Sequence, residues 1–236
     1  MEKSDPNNAP ASVPTGKPAA KAAAKRPAKA RRDPERTRQK ILDAATSEFT
    51  KHGLGGARVD RIAKRAGTNE RMLYYYFNSK DALFLTVLEE VYIQLAKAEK
   101  ALELDHLEPV EAITKLVEFI WNYYIAHPEF ISLINSENLH EAKYLKKSKR
   151  LAELVSPVQE NISAIVRRGQ ESGIFRGSLD PAEVYITLVA LNYYYLSNRF
   201  TLSTVLARDL FSPVARDRHL KHATEVVLSY LVKPKH

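Results

Sequence analysis

The side chains best suited to recognising another molecule in this chain are grouped at Asn69, Glu70, Arg71 and Met72. The Arg71 guanidinium is a planar fork of donors that fits the O6/N7 edge of guanine, and the Glu70 carboxylate can accept from the amine of cytosine. A bidentate pair of that kind discriminates between bases by about 1–3 kcal/mol in a major groove. Glu70 also has two plainer uses, pairing with Arg71 or capping its own helix. Leu73 and Phe77 sit four residues apart, so both turn inward while the preceding turn faces out. That is the layout of a short helix whose N-terminal residues reach base edges.

Groups for covalent or metal chemistry are not assembled in this way. The seven histidines are scattered, and only His219 and His222 stand close on one helix, without carboxylates at metal-ligand spacing. Cysteine is absent, which removes disulfides, thiolate catalysis and cysteine metal sites together. No phosphate-binding loop, G-x-S-x-G nucleophile turn or paired-acid constellation occurs. The expectation is a binding protein, not an enzyme, with no metal and no cofactor.

The elements around this cluster follow from local pattern. Asp33 suits an N-cap, Pro34 a first helical position and Glu35 the positive helix end. Ile41, Leu42, Ala45 and Phe49 recur at helical spacing, and Gly53 supplies a stop, predicting a helix over 34–52. Val59, Ile62, Ala63 and Ala66 share one face of a short second helix. Gly67 ends it with a backbone at positive φ, and Asn69 caps the third helix. Ser79 caps a longer fourth helix with Leu83, Val87, Val91 and Leu95 on its inner face. Two short helices joined by a tight Gly-containing turn are a helix-turn-helix, and Ala63 is small where the pair must cross closely.

Further along, helices keep coming without strand-like alternation. Pro109 opens a segment with Ile113, Leu116, Val117, Ile120 and Tyr124, and Pro128 another with Phe130, Ile131, Leu133 and Ile134. Pro157 is predicted to begin a helix carrying Val158, Ile162, Ile165 and Val166. Asp180-Pro181 starts one with Val184, Leu188, Leu191 and Tyr195, and a last helix holds Leu220, Ala223, Val227, Leu228 and Leu231. The fold class expected is all-α, with about nine or ten helices. It divides into a helix-turn-helix domain at 33–82 and a helical ligand-binding and dimerisation domain at 83–236.

Charge is unevenly placed along the chain. Of the 36 basic residues eight lie in 1–32, opposed there only by Glu2 and Asp5, so the net charge of +8 mostly describes this tail. The segment is rich in Pro, Ala and Lys without apolar periodicity, and is expected to be disordered. Two readings of it stand: a solvated tail, or a basic arm adding phosphate contacts. The longest apolar stretch, Val184 to Leu196, is broken by Thr187 and Asn192 and falls short of the roughly 18–20 residues a membrane span needs. No membrane partner is expected. The N-terminus lacks an apolar signal core, so a cytoplasmic location is expected.

Ile62-Ala63, Ala66-Gly67, Leu73-Tyr74, Tyr76-Phe77, Ser79-Lys80 and Leu83 match I-A-x-x-A-G followed by L-Y-x-[HY]-F-x-[SN]-K-x-x-L. Over roughly residues 34–84 the chain thereby resembles the TetR family of transcriptional regulators. The resemblance implies that Thr68, Tyr74, Tyr75, Tyr76 and Lys80 touch phosphates or bases, although Tyr76 also fits a role packing against the first helix. One departure concerns the start of the second helix, where the family often has Thr. Here Ala57 and Arg58 stand there, and Arg58 offers a positive charge to a phosphate instead. By the same resemblance the partners are a palindromic double-stranded DNA operator, a second copy of the chain in a homodimer, and a small-molecule effector that releases a repressor. The dimer helices would correspond to about Pro157–Ser172 and Pro181–Thr201. Effector candidates are aromatic residues and isolated polar groups of the middle domain: Trp121, Tyr124, Phe130, Asn135, Asn138, His140, Tyr185, Asn192 and Tyr193. Their chemistry suits an aromatic, hydrogen-bonding molecule, and for each the plainer reading is ordinary core or a helix end. The rival to the whole picture is an effector-independent architectural DNA-binding protein, which the lysine-rich tail favours.

Overall fold

The computed structural model describes residues 34–234, so the expectations for the basic segment 1–32 and for the Asp33 cap lie outside the described residues. Ten helices follow in order: α1 (Pro34–Gly56), α2 (Val59–Arg65), α3 (Glu70–Phe77), α4 (Lys80–Lys100), α5 (Pro109–Ala126), α6 (Pro128–Leu139), α7 (Leu151–Glu171), α8 (Pro181–Ser197), α9 (Arg199–Val205) and α10 (Pro213–Leu231). Gly53 breaks α1 at φ 62°, where the apolar periodicity stops, and one further turn runs on to Gly56. Prolines at the first turn of α5, α6, α8 and α10 lose no bond there, because those N–H groups have no intrahelical partner anyway. The side chains of Asp180 and Ser212 cap α8 and α10. Two findings differ from the sequence reading. α7 starts at Leu151, which places Pro157 inside it, since proline favours a first turn without being confined to one. The helix from Pro181 ends at Ser197, and Arg199–Val205 forms a separate short helix.

Two apolar clusters organise these elements. One gathers Ile41, Ala45 and Phe49 of α1, Ile62 of α2, Leu73 and Phe77 of α3, and Leu83, Phe84, Val87 and Leu88 of α4. The other gathers Ile113, Leu116, Val117, Ile120 and Trp121 of α5 with Ile162, Ile165 and Val166 of α7, Val184 and Leu188 of α8, and Ala223 and Val227 of α10. α6 serves both, giving Phe130 and Ile131 to the second and Leu133 to the first. Near its C-terminus Ser136 Oγ accepts the backbone N–H of Leu54, and the buried Glu137 carboxylate accepts those of Tyr144 and Leu145. Beyond α7 the chain folds back so that Phe175 lies over Gly169, where any Cβ would overlap its ring.

Candidate nucleic-acid interface and internal cavity

The turn between α2 and α3 is built from backbone bonds that only one conformation supplies. Gly67 has φ +66°, Thr68 N–H donates to the Ala63 carbonyl and Gly67 N–H to that of Lys64, the paired bonds of a Schellman motif. Nothing lies within 4 Å of the place a Gly67 Cβ would occupy, so the backbone angle, not space, requires glycine. The Asn69 side chain then accepts Met72 N–H at 3.0 Å and starts α3. Leu73 and Phe77 are buried against α1 and α4, which fixes the rotation of α3 and turns its other face outward. On that face Glu70 and Arg71 are exposed, Tyr74 and Tyr75 are 45% and 74% exposed, and Met72 is half-buried. Arg71 makes no hydrogen bond or ion pair with any described residue.

The other candidates are distributed less uniformly. Tyr76 is half-buried, packs against the first cluster and sits edge-on to Tyr75. Thr68 Oγ1 is buried without a hydrogen-bond partner among the described residues. Lys80 donates to the Ala57 carbonyl at 2.8 Å, so one of its protons holds the start of α2. The exposed Arg58 guanidinium is paired with Asp60 through two bonds of 3.0 Å. Arg58 is also the N-cap of α2 and offers that helix no side-chain cap. The cap comes from Glu48, ten residues earlier on α1, whose carboxylate accepts Arg58 N–H at 3.1 Å and the Arg61 guanidinium at 2.6 Å. Burial alone would raise the Glu48 pKa, but these donors and the nearby His52 outweigh it and hold the carboxyl below its usual range. Sequence reading missed Glu48 because it stands on the apolar side of α1 and gains its role only where the helices cross.

A narrow cavity of about 30 Å³ lies in the second cluster between α4, α5, α7 and α8. Its walls are Tyr92, Leu95, Ala96 and Glu99 of α4, Leu116, Ile120 and Tyr124 of α5, Val158 and Ile162 of α7, and Tyr185 and Val189 of α8. That is room for about one water, so a larger occupant must displace side chains. Of the residues expected from the sequence, Tyr124 and Tyr185 line it. Phe130 stacks on Tyr124 at 5.5 Å, and the Tyr193 ring is 6.3 Å from it. The Tyr193 hydroxyl bonds to Asn135, whose amide reaches Ser197 at 3.1 Å, so this pair joins α6 to α8. Trp121 packs instead against Tyr195 and His219. Asn138 is exposed, and His140 is the C-cap of α6, with its ring bonded to the Ser136 carbonyl at 2.7 Å. Asn192 is fully buried, donates to the Leu188 carbonyl and leaves its own carbonyl oxygen without a partner. Burial pushes the Tyr92, Tyr124 and Tyr185 hydroxyls up, so all three stay protonated donors. Glu99 was not foreseen. Burial raises its pKa, and the Asn161 amide at 3.1 Å offsets only part of that rise.

A recognition helix held at fixed rotation by a glycine elbow, with an unpaired arginine on its outer face, defines a helix-turn-helix DNA-binding protein. Residues 41–87 match the family model for bacterial regulatory proteins of the tetR family, and residues 109–227 that for tetracyclin repressor-like C-terminal domains. The chain belongs to the TetR family of transcriptional regulators. It is 40% identical over 194 residues to the HTH-type transcriptional repressor NicS of Pseudomonas putida, covering 82% of this chain and 92% of NicS. It is 34% identical over 166 residues to the repressor SCO4008 of Streptomyces coelicolor, covering 69% and 79%. The crystal structure of SCO4942 from Streptomyces coelicolor superposes with a TM-score of 0.63 at 26% identity, over 84% of this chain and 99% of that one. FadR of Bacillus halodurans, at 19% identity and a TM-score of 0.64, shares the fold, over 84% of this chain and 96% of that one. None of the described helices is long and apolar enough to cross a membrane.

Proposed function

We propose that this chain is a cytoplasmic, sequence-specific repressor that binds a palindromic operator as a two-fold dimer and is released by a small-molecule effector entering the α4–α5–α7–α8 cavity. The observation that carries operator reading is the outward face of α3, where Arg71, Tyr74 and Tyr75 stand in solvent while Leu73 and Phe77 anchor the helix from behind. Arg71 and Glu70 are the base readers. Arg58, Asn69, Met72, Tyr74, Tyr75, Tyr76 and Lys80 surround them toward the phosphates, with Asn69 and Lys80 also bracing the motif, whereas the buried Thr68 hydroxyl faces inward.

The exposed apolar side chains support a dimer face different from the one the sequence suggested. From Val158 onward the exposed positions of α7 are polar, at Gln159, Glu160, Ser163 and Arg167, whereas α8 exposes Ile186, Ala190 and Tyr194 in a row and α10 exposes Val226 and Tyr230. A dimer built on α8 and α10 places one recognition helix per subunit, as two half-sites one helical turn apart require. Repression agrees with NicS and SCO4008, both HTH-type transcriptional repressors. The cavity walls are shared by helices from different parts of the chain, so an occupant can favour one arrangement of them over another.

Selection of bound duplexes from a random pool tests this reading. The expected outcome is one palindromic site with half-sites about 10 base pairs apart. Arg71→Ala should then lose roughly ten- to a hundredfold of the preference for that site over random DNA. Equal weakening on both DNAs would remove Arg71 from base reading, and recovery of no common site would favour an architectural role.

A further inference from the structure

Glu99 is the charged group of the cavity wall that the DNA-reading function leaves unused. Its side chain is 4% exposed, and its hydrogen-bond partner is the neutral Asn161 amide. Among the described residues it forms no ion pair. A carboxyl buried this way is under-compensated, because one neutral hydrogen bond does not replace the water it has lost. Around it stand the rings of Tyr92, Tyr124 and Tyr185, whose electron-rich faces attract cations and repel anions.

On the other side of Glu99 lies a second, wider cleft of about 340 Å³, which shares Ala96, Glu99 and Val158 with the inner cavity as a common wall. Its rim carries the exposed carboxylates of Glu103, Asp105 and Glu160 against the single ammonium of Lys100. Nearby, the Arg168 guanidinium is committed to the carbonyls of Leu104, Asp105 and Leu107, and the Lys115 ammonium donates to that of Leu102. The cleft is therefore net acidic, and such a concavity raises the local concentration of cations. An anionic ligand meets the three rim carboxylates, and a neutral one brings Glu99 no counter-ion.

Resting on the effector-cavity reading above, we propose that the occupant is a small aromatic or heteroaromatic amine in its protonated form, drawn in through the acidic cleft and held with the Glu99 carboxylate as counter-ion against the tyrosine rings. In the empty cavity burial raises the pKa of this carboxyl, and an arriving ammonium favours its ionised form.

Calorimetry on the full-length protein with benzylamine, benzyl alcohol and benzoate separates the charge classes on one ring. Benzylamine should bind at least about tenfold more tightly than either analogue. Glu99→Gln, which keeps the shape and the Asn161 contact, should lose about tenfold for benzylamine and little for benzyl alcohol. A surface variant, Glu103→Gln with Asp105→Asn and Glu160→Gln, should weaken benzylamine by about threefold at low salt and not at high salt. Benzoate binding as well as benzylamine, no saturable benzylamine binding, or an unchanged Glu99→Gln would each overturn the proposal. Operator binding without ligand is measured on the same samples: its persistence would leave the repressor reading standing while this inference fell.

Discussion

The α2–α3 unit and the α4–α5–α7–α8 cavity both hold polar groups without full partners, and they do so in opposite surroundings. At the outer face of α3, Arg71 is unpaired in water, where an idle guanidinium is solvated and costs the fold nothing. In the cavity wall Glu99 is buried with one neutral hydrogen bond, and elsewhere on α8 the buried Asn192 side-chain oxygen has no partner among the described residues, where an unmade bond carries its full desolvation penalty. A surface for a long charged polymer is made by presenting side chains outward on a braced helix. The proposed small-molecule site instead buries its polar groups with few partners. The first should be separable from stability and the second should not.

The contrast can be broken most directly at the dimer face. Tyr194→Asp should yield a monomer by sedimentation and lower operator affinity by about 10³-fold, toward the level of non-specific binding, because one half-site alone is left. An intact dimer would move the interface off α8. Next in size is Gly169→Ala, whose Cβ overlaps the fully buried Phe175 ring. About 3 kcal/mol of stability should be lost in denaturant unfolding, and operator affinity of the folded fraction at low temperature should be unchanged.

Glu48→Gln sharpens the DNA-reading half. It weakens the cap on α2 and the bond to Arg61, and should cost about 1.5 kcal/mol at neutral pH. Because the folded-state pKa of Glu48 is depressed, its contribution is complete above the unfolded value of about 4.5 and disappears as pH falls through the folded one. The deficit of the variant should accordingly close in acid; a deficit constant with pH would mean that Gln disturbs packing and not charge. The smallest effect is at Glu99, with the sign reversed. Its folded pKa is raised, so ionising it costs stability as pH rises from the unfolded value through the folded one. Glu99→Gln should be more stable than the parent at pH 8 and equal to it at pH 4, with melting curves as the measure.

Local pattern carried much of the reading half. The Schellman turn at Gly67, the Asn69 and Ser79 caps and the inward pair Leu73 and Phe77 are each decided within a few residues, and each stands where the sequence pointed. In the cavity Tyr124 and Tyr185 were legible as aromatics at helical spacing, whereas Trp121 and His140 proved to be a core ring and a helix cap. Glu99 was illegible because it stands in a run of charges, Lys97 to Lys100, that reads as a solvated helix end. Only the packing of α7 over it, with Asn161 opposite, turns it inward.

Sequence alone determined the helix class, the elbow and the side chains on the outer face of α3, because backbone angles, caps and 3.6-residue periodicity are short-range properties. Tertiary structure decided that Glu48 caps a helix ten residues away, that α8 and α10 keep apolar residues outside, and that Glu99 is buried. Those three depend on which faces meet when helices cross, and crossing is set by the volume and shape of the whole core, which no local window contains.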